Sequence, residues 1–335
     1  MKLDHYDKTL LYELDRDASI SLAKLSKLLK RSKPFILHRI KRLEKEGVIK
    51  GYYALIDKFR LGYFLFRVYI DLQESTEQDR LNIIKASEKY KQMWAVSIMH
   101  GGWDLALYIS VKSLAEFYEV WDDFKLNYKE KIKRDNLALY SPFYNYSRCF
   151  FLEENDSKIF GSGKKTTINN INNINNMKVE RMCGVDKQEE TDELDIEILK
   201  AYASNCRHSS IEIAKKTKAS ADTIRSRIKK LRNKNIIVGY KLHMKPTKLG
   251  YNTYIIDFEL KNTKDIKELF NFCKMHKSVY QINNTIGGAD FEVVVIVKDE
   301  TELVKFIDET KVRFKNMISD DNYYLISDFH FVNYV

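Results

Sequence analysis

Apolar residues recur every three to four positions near the start of the chain, and the same pattern returns 188 residues later. Tyr6, Leu10, Leu11 and Leu14 form the first such stripe, which is typical of an amphipathic helix. Two shorter helices are predicted to follow it in each copy. Residues suited to cap these helices stand at Asp4, Ser21 and Ser32 in the first copy and at Asp192, Ser209 and Ser220 in the second.

The third predicted helix is the clearest part of the repeat. Residues 32–52 align without a gap on residues 220–240, and nine of the 21 positions are identical. Gly47 and its counterpart Asn235 both tolerate a left-handed backbone, so both helices are predicted to end in the same geometry. Strands over 48–56 and 236–244 should follow. Three short helices and such a β-wing predict a winged helix-turn-helix in each copy.

Beyond each winged unit the hydrophobic period changes from 3.6 to 2, which indicates strands. The first copy then shows strand, helix, strand, a Gly-Gly turn, strand, helix and strand, and the second keeps this order at an offset of 186. This β-α-β-β-α-β order is ferredoxin-like. The predicted fold class is therefore α+β, with winged units at 1–60 and 191–248 and ferredoxin-like domains at 61–152 and 249–335.

The segment between the copies, 153–190, contains an Asn-rich stretch with Gly and Ser. Such a composition has little to bury, so a flexible linker is predicted here.

Composition narrows the classes of protein further. The 335 residues are 44% hydrophobic, enough for several packed domains, but contain no apolar run of 18 residues. No secretory signal or membrane span is expected, so the protein is predicted to be cytoplasmic. The four cysteines are far apart and form no C-x-x-C pair. No metal, disulfide framework or cofactor is expected.

Positive charge is confined to the two repeated winged units. Residues 1–60 carry 15 Lys and Arg against 8 Asp and Glu, and residues 191–248 carry 14 against 6, although the whole chain has a net charge of +10. The remainder is therefore acidic. This placement favours binding to a polyanion such as double-stranded DNA. The alternative is two solvated helical surfaces that are rich in lysine.

The third helix of each copy is predicted to be the DNA-recognition helix, because one face is apolar and the opposite face is polar and basic. Such a helix enters the major groove, where early side chains meet bases and Lys and Arg bind phosphates. The predicted DNA-binding residues are Ser32, Lys33, Phe35, His38, Arg39, Lys41 and Arg42 in the first copy and Ser220, Thr223, Ser226, Arg227, Lys229 and Lys230 in the second.

The two predicted recognition faces differ, which indicates an asymmetric operator. His38 stands where the second copy has Ser226, and Pro34 stands where it has Asp222. Asp222 fits either acceptance from a cytosine amine or stabilisation of the helix N-terminus. Arg39 and Arg227 have a second interpretation as well, an ion pair within their own unit.

The ordered motifs resemble the Lrp/AsnC family of feast/famine regulators. The matching residues in the first copy are Asp4, Asp7, Arg39, Ile40, Leu43, Gly47, Val48, Ile49, Gly51, Tyr52, Leu61, Gly62, Tyr63, Gly101 and Asp104. The second copy offers Asp192, Asp195, Arg227, Ile228, Leu231, Ile236, Ile237, Gly239, Tyr240, Leu249, Gly250, Tyr251, Gly287 and Asp290. The resemblance covers nearly the whole chain outside the linker.

This resemblance implies a transcriptional regulator that pairs through its ferredoxin-like domains, often with further assembly. It also implies small effectors, commonly amino acids, bound near the G-x-x-D turns, which makes Gly101, Asp104, Gly287 and Asp290 effector-site candidates. The alternative is that these glycines only permit a tight turn. Because family members usually have one copy, the duplication favours an intramolecular pseudo-dimer, with homo-oligomers also open.

Two rival functions remain. Sirohaem decarboxylases resemble regulators of this family and can be fused in tandem, but the stretches usual in them are absent around Lys50–Tyr53 and Asp104–Tyr108. His100 is a lone candidate acid, replaced by Ile286 in the second copy. The other rival is a protein-interaction module that has lost DNA binding. The expected class is a DNA-binding protein rather than an enzyme.

Overall fold

Three short helices form each winged unit. The computed structural model describes residues 3–152, 179–182 and 187–332. The first unit contains α1 (His5–Arg16), α2 (Leu22–Leu29) and α3 (Lys33–Lys45), and the second contains α6 (Glu193–Ser204), α7 (Ser210–Thr217) and α8 (Ala221–Asn233). Their cores merge, because Leu10 and Ile36 of the first unit belong to the same buried cluster as Ile198 and Ile224 of the second.

The predicted helix ends are confirmed. The Asp4 and Asp192 side chains each accept a hydrogen bond from the backbone N–H three residues on. In return, the side chains of Asp7 and Asp195 accept a hydrogen bond from the backbone N–H of Asp4 and Asp192. Gly47 and Asn235 have φ angles of +73° and +53°, so both recognition helices end in a left-handed residue.

A two-stranded ribbon joins the winged units. β1 (Ile49–Ile56) pairs antiparallel with β7 (Ile237–Met244), with Tyr53 opposite Lys241. The strand predicted as the wing of each copy thus pairs with the strand of the other copy. Ala18 N donates to Tyr240 O at 3.1 Å, and Cys206 N donates to Tyr52 O at 2.9 Å. Ala18 and Cys206 are equivalent under the shift of 188 residues, and so are Tyr52 and Tyr240. The two bonds are therefore the same contact made in both directions, and the units are related by an internal two-fold axis.

The ribbon has two different faces because side chains alternate along a strand. Tyr52, Ala54 and Ile56 are buried in the shared core of the winged units. The intervening side chains point the other way, toward the second layer of the molecule. The ribbon is therefore the contact between the helical layer and the sheet layer.

The second layer is a closed ring of eight antiparallel strands. Its strands are β2 (Phe64–Leu72), β3 (Met93–His100), β4 (Leu105–Val111), β5 (Ile132–Tyr146), β8 (Asn252–Leu260), β9 (Val279–Ile286), β10 (Phe291–Val297) and β11 (Ile318–Phe331). The order is β2-β4-β3-β11-β8-β10-β9-β5, and β5 pairs back with β2. Two ferredoxin-like sheets, one from each copy, therefore join at both edges into a barrel. The predicted α+β class and the two ferredoxin-like domains are confirmed, whereas the closure into a barrel was not predicted.

Four helices cover the outside of this barrel, namely α4 (Glu77–Ser87), α5 (Leu114–Asn127), α9 (Ile266–Met275) and α10 (Glu300–Arg313). Leu107 of β4 packs under Phe117 and Phe124 of α5, whereas the adjacent Tyr108 belongs to the cluster inside the barrel. β4 thus carries apolar residues on both faces.

The last strand of each copy is longer than the periodicity predicts. β5 begins at Ile132 rather than within 137–150, and β11 begins at Ile318 rather than within 323–334. The reason is that each of these strands pairs with one strand of its own copy and one strand of the other copy. β5 pairs with β2 from Ile132 to Leu139 and with β9 from Leu139 to Asn145. These strands carry the seams between the copies.

Four residues of the predicted linker, 179–182, form a strand. β6 (Val179–Met182) pairs antiparallel with the end of β5, and Lys241 Nζ of the ribbon lies 2.8 Å from Glu180 Oε2. The flexible-linker prediction is therefore wrong at these residues, because backbone pairing and a buried ion pair hold them. Residues 153–178 and 183–186 lie outside the described part. Within that part, no helix is long and apolar enough to cross a membrane.

Candidate nucleic-acid interface

Each recognition helix buries one stripe and exposes the opposite face. In α3 the buried residues are Ile36, Ile40 and Leu43. Ser32 Oγ accepts a hydrogen bond from Phe35 N at 3.4 Å, and Ser220 Oγ accepts one from Thr223 N at 3.0 Å. Both serines are exposed N-caps, as predicted.

Most of the predicted DNA-binding residues face solvent. The exposed ones are Ser32, Lys33, His38, Lys41, Ser220, Thr223, Ser226, Lys229 and Lys230. The partly buried ones are Phe35, Arg39, Arg42 and Arg227. The exposed set includes two lysines at equivalent positions, Lys41 and Lys229, which leaves a cation free for phosphate on both helices.

Arg39 and Arg227 form the ion pair within the unit that the sequence left as an alternative. Arg39 Nη1 lies 2.6 Å from Asp4 Oδ2 and 2.9 Å from Asp7 Oδ1. Arg227 makes the matching contacts to Asp192 and to Asp195, the latter at 3.1 Å. Each arginine therefore ties its recognition helix to the capped start of the first helix, and the prediction that it contacts DNA stays a prediction.

The capping carboxylates respond to these contacts. The backbone N–H of Asp195, and then the guanidinium of Arg227, hold the pKa of Asp192 below its ordinary value. For Asp4, burial acts upward, but the bonds from Asp7 N and Arg39 outweigh it and the pKa is lowered. Both groups are thus ionised at neutral pH, and both charges are already matched by arginine.

Arg42 and Lys230 stand at equivalent positions but in different surroundings. Arg42 Nη2 pairs with the buried carboxylate of Asp7. Lys230 is exposed on α8. The shorter lysine at this place makes the second helix the one with a more available cation.

An aromatic and cationic cluster surrounds Phe35 in the first copy. The Phe35 ring meets Tyr6 edge to face at 5.4 Å, and the Arg39 guanidinium lies 4.6 Å from the Phe35 centroid. Arg31 lies 4.8 Å from the Tyr6 centroid. The sequence pattern places Tyr6 in the apolar stripe of the first helix, and it does not single out Arg31. Their signal is that three of the four positions hold Leu194, Ala219 and Thr223 in the second copy.

Asp222 is accounted for by a local contact. Its carboxylate pairs with Arg225 one helical turn along α8, and both side chains are largely exposed, at 88% and 58%. Such a pair contributes little to stability. It leaves Asp222 at the N-terminal end of the helix, where a negative charge is favourable.

The two G-x-x-D turns lie at the seams of the barrel. Gly101 and Gly287 have φ angles of +103° and +84°, and a Cβ at Gly287 would stand 2.9 Å from Leu137 O of β5. Asp104 Oδ2 accepts from Leu72 N at 2.8 Å, and Asp290 Oδ2 accepts from Leu260 N at 2.7 Å. These four residues shape a turn and its close approach to the next strand. Effector binding by them stays a prediction.

Comparison with known proteins agrees with this arrangement. A family model for winged helix-turn-helix DNA-binding domains matches residues 3–50 and again residues 191–238. The HTH-type transcriptional regulator Ptr1 of Methanocaldococcus jannaschii is 32% identical over 119 residues, which are 35% of this chain and 80% of Ptr1. The HTH-type transcriptional regulator LrpC of Bacillus subtilis is 37% identical over 62 residues, which are 18% of this chain and 43% of LrpC.

A solved structure matches both copies together. The sirohaem decarboxylase NirDL superimposes with a TM-score of 0.59, over 99% of this chain and 93% of NirDL, at 11% identity. At that identity the likeness concerns the fold alone. It shows that two winged units and two ferredoxin-like domains in one chain form a known tandem arrangement.

Proposed function

The chain belongs to the Lrp/AsnC family of helix-turn-helix regulators, in tandem duplicated form, and we propose that it is a sequence-specific transcriptional regulator whose single chain supplies both DNA-reading units. Its partner is double-stranded DNA. Further assembly into homo-oligomers is a separate prediction.

The observation that carries this proposal is the pairing of two exposed recognition helices by one ribbon. α3 and α8 end in the same left-handed geometry and present Lys41 and Lys229 at equivalent positions. The β1–β7 pairing holds the two units in an internal two-fold relationship. A dimeric reader of two half-sites needs this relationship.

The two readers are unlike, so the operator should be asymmetric. His38 and Ser226 occupy equivalent exposed positions, and only the first copy has the cluster of Tyr6, Arg31 and Phe35. Bases opposite these positions meet different donors and apolar surfaces. An imidazole and a hydroxyl at the same place favour different base pairs.

Selection of bound fragments from the native genome, using the full chain, tests the proposal. We expect enrichment of sites with two unlike halves. Affinity for such a site should fall by orders of magnitude between about 50 and 200 mM salt, because phosphate contacts release counterions. Enrichment of no sequence, or an affinity that ignores salt, would contradict the proposal and favour an interaction module.

A tetrapyrrole enzyme is the second candidate, and the full-length likeness in fold to NirDL favours it. We propose DNA binding rather than catalysis on a tetrapyrrole, because His100, the lone candidate acid, is exposed and its Nε2 lies 3.1 Å from Ser327 Oγ. The deciding measurement is the absorbance spectrum on adding sirohaem. A Soret shift followed by loss of carboxylates would establish the enzyme instead, whereas an unchanged spectrum removes it.

A further inference from the structure

A cavity of about 480 Å³ lies between the ribbon and the mouth of the barrel. This volume is within the usual range of small-molecule sites. Tyr53 and Lys241 line it from the ribbon, and Tyr108, Phe143 and Ile255 line it from the barrel. The cavity therefore touches both layers of the molecule.

One wall of the cavity is aromatic. Trp94 and Tyr108 have ring centroids 5.3 Å apart, Tyr108 and Phe329 are 5.6 Å apart, and Phe329 and Phe331 are 5.0 Å apart. These four side chains come from three strands, β3, β4 and β11, across the seam between the copies. They present a continuous surface suited to a flat or branched apolar group.

Lys58 adds a buried cation to this wall. Its Nζ lies 5.3 Å from the Trp94 ring centroid and 3.2 Å from Ser110 Oγ, and its side chain is buried. Among the residues that the structure describes, no carboxylate lies within ion-pair distance of it. Burial lowers the pKa of Lys58 to about 7. A buried ammonium without a counter-charge is costly, so a bound anion would stabilise it.

The other buried charges around the cavity are already matched. Lys241 pairs with Glu180, Arg148 pairs with Asp15, and Glu292 pairs with Arg67. Burial, and next Arg148, lower the pKa of His243 to about 4, so this imidazole is neutral at pH 7. The site thus offers one buried positive charge without an ion-pair partner in the described part of the chain, that of Lys58, and an apolar wall.

We propose that this cavity binds an apolar monocarboxylate without an amino group, with the carboxylate on Lys58 and an aromatic or branched body against Trp94, Tyr108 and Phe329. A free ammonium on the ligand would need a carboxylate of the protein, but the two among the described residues that line the cavity, Glu292 and Asp328, are already paired with Arg67 and Lys245. The second copy does not repeat this cation, because Pro246 stands at the position equivalent to Lys58.

Such a ligand would contact the ribbon that fixes the two recognition helices relative to each other. A ligand that prefers one ribbon position shifts DNA affinity by its difference in affinity for the two positions. This consequence, unlike ligand binding itself, rests on the proposed function. A binding test without DNA therefore fails or succeeds independently of it.

Isothermal calorimetry of the full chain tests the site, with indole-3-acetate and phenylacetate as probes. The controls are indole-3-acetamide, phenylacetamide and phenylalanine. We expect at least one acid to bind with a Kd below about 1 mM and its amide, and phenylalanine, to bind at least about tenfold more weakly. Equal binding of acid and amide, or no binding of either acid at about 10 mM, would overturn the proposal.

Lys58→Met is the matching variant, since it keeps the chain length and removes the charge. It should fold at least as stably as the parent, because an unmatched buried charge is lost. We expect it to lose the preference for acids over amides, while Lys89→Met, at an exposed lysine of the same copy, keeps it. Acid binding by Lys58→Met as tight as that of the parent would place the ligand elsewhere and overturn the assignment.

Discussion

Arg67 of the first copy and Glu292 of the second form an ion pair inside the barrel, although 225 residues separate them in the chain. Their side chains are 1% and 0% exposed. The equivalent positions hold Ile255 and Ala106, so neither copy contains both partners on its own. The pairing of the copies is therefore complementary rather than self-complementary.

A second acid makes this pair sensitive to the loss of its arginine. Burial, and next the charge of Glu292, raise the pKa of Asp257 well above its ordinary value, while Arg67 opposes the rise. The Arg67 guanidinium also lies 3.9 Å from the centroid of the Tyr69 ring. One cation thus serves two buried carboxyl groups and an aromatic ring.

Arg67→Leu should lower the free energy of unfolding by about 3–5 kcal/mol, because it leaves Glu292 buried and unmatched. The double variant Arg67→Leu, Glu292→Leu should recover most of this loss, since it removes the charge of Glu292 together with its partner and ends the repulsion between Glu292 and Asp257. Urea unfolding of the parent, both single variants and the double variant gives the coupling energy. If the losses of the two single variants simply add in the double variant, the predicted coupling between Arg67 and Glu292 is wrong.

The exposed pair Arg225 and Asp222 provides the control for that cycle. Both side chains are largely in solvent. We expect Arg225→Leu to leave the unfolding midpoint unchanged within error, because a solvated ion pair contributes little. A loss as large as that of Arg67→Leu would mean that charge removal alone, and not burial, sets the effect.

The buried ammonium of Lys58 predicts a pH dependence of stability. Below about pH 7 the lysine is protonated in both the folded and the unfolded chain, so folding carries the whole cost of burying the charge. Between about 7 and the ordinary pKa of 10.5, the unfolded chain binds a proton that the folded chain lacks. Raising the pH through this window therefore stabilises the folded state.

Comparison with Lys58→Met isolates this contribution, because other groups titrate alike in both proteins. We expect the parent to gain on the order of 2 kcal/mol relative to the variant between pH 7 and pH 9. Urea unfolding at the two pH values measures the gain, and Lys89→Met serves as the exposed control. A constant difference between parent and Lys58→Met would show that Lys58 keeps its ordinary pKa.

Local structure could be predicted from the sequence, but most pairings between distant elements could not. The N-caps and the left-handed ends at Gly47 and Asn235 follow from residue type at a fixed place in a helix. The cross-copy partner of β1 does not, since a strand pattern shows that an edge exists and not which edge meets it. Nor does the pattern predict that Arg67 is buried, because the period of 2 in β2 puts it at one of the alternate, more polar positions.

The two recognition helices end in the same left-handed geometry but in different residues, Gly47 and Asn235, so substitutions there should have opposite effects on stability. Gly47→Ala should cost about 1 kcal/mol, because alanine is strained at a positive φ while a Cβ there meets only ordinary contacts, the nearest at 3.6 Å. Asn235→Gly should be neutral or stabilising by up to about 0.5 kcal/mol, since glycine adopts the left-handed backbone more readily than asparagine. Urea unfolding measures both, and an unaltered Gly47→Ala protein would contradict the shared geometry.

Lys41 and Lys229 are predicted to contact phosphate, whereas the ion-paired Arg39 is predicted to hold its unit together. Lys41→Ala and Lys229→Ala should each weaken binding to the selected operator and reduce the salt slope by about 1, without lowering the unfolding midpoint. Arg39→Ala should lower the midpoint, because the buried Asp7 loses a partner at 2.9 Å. Fluorescence anisotropy at several salt concentrations separates these effects, with Lys89→Ala as the control. Unchanged slopes for both lysine variants would exclude these lysines from the DNA interface.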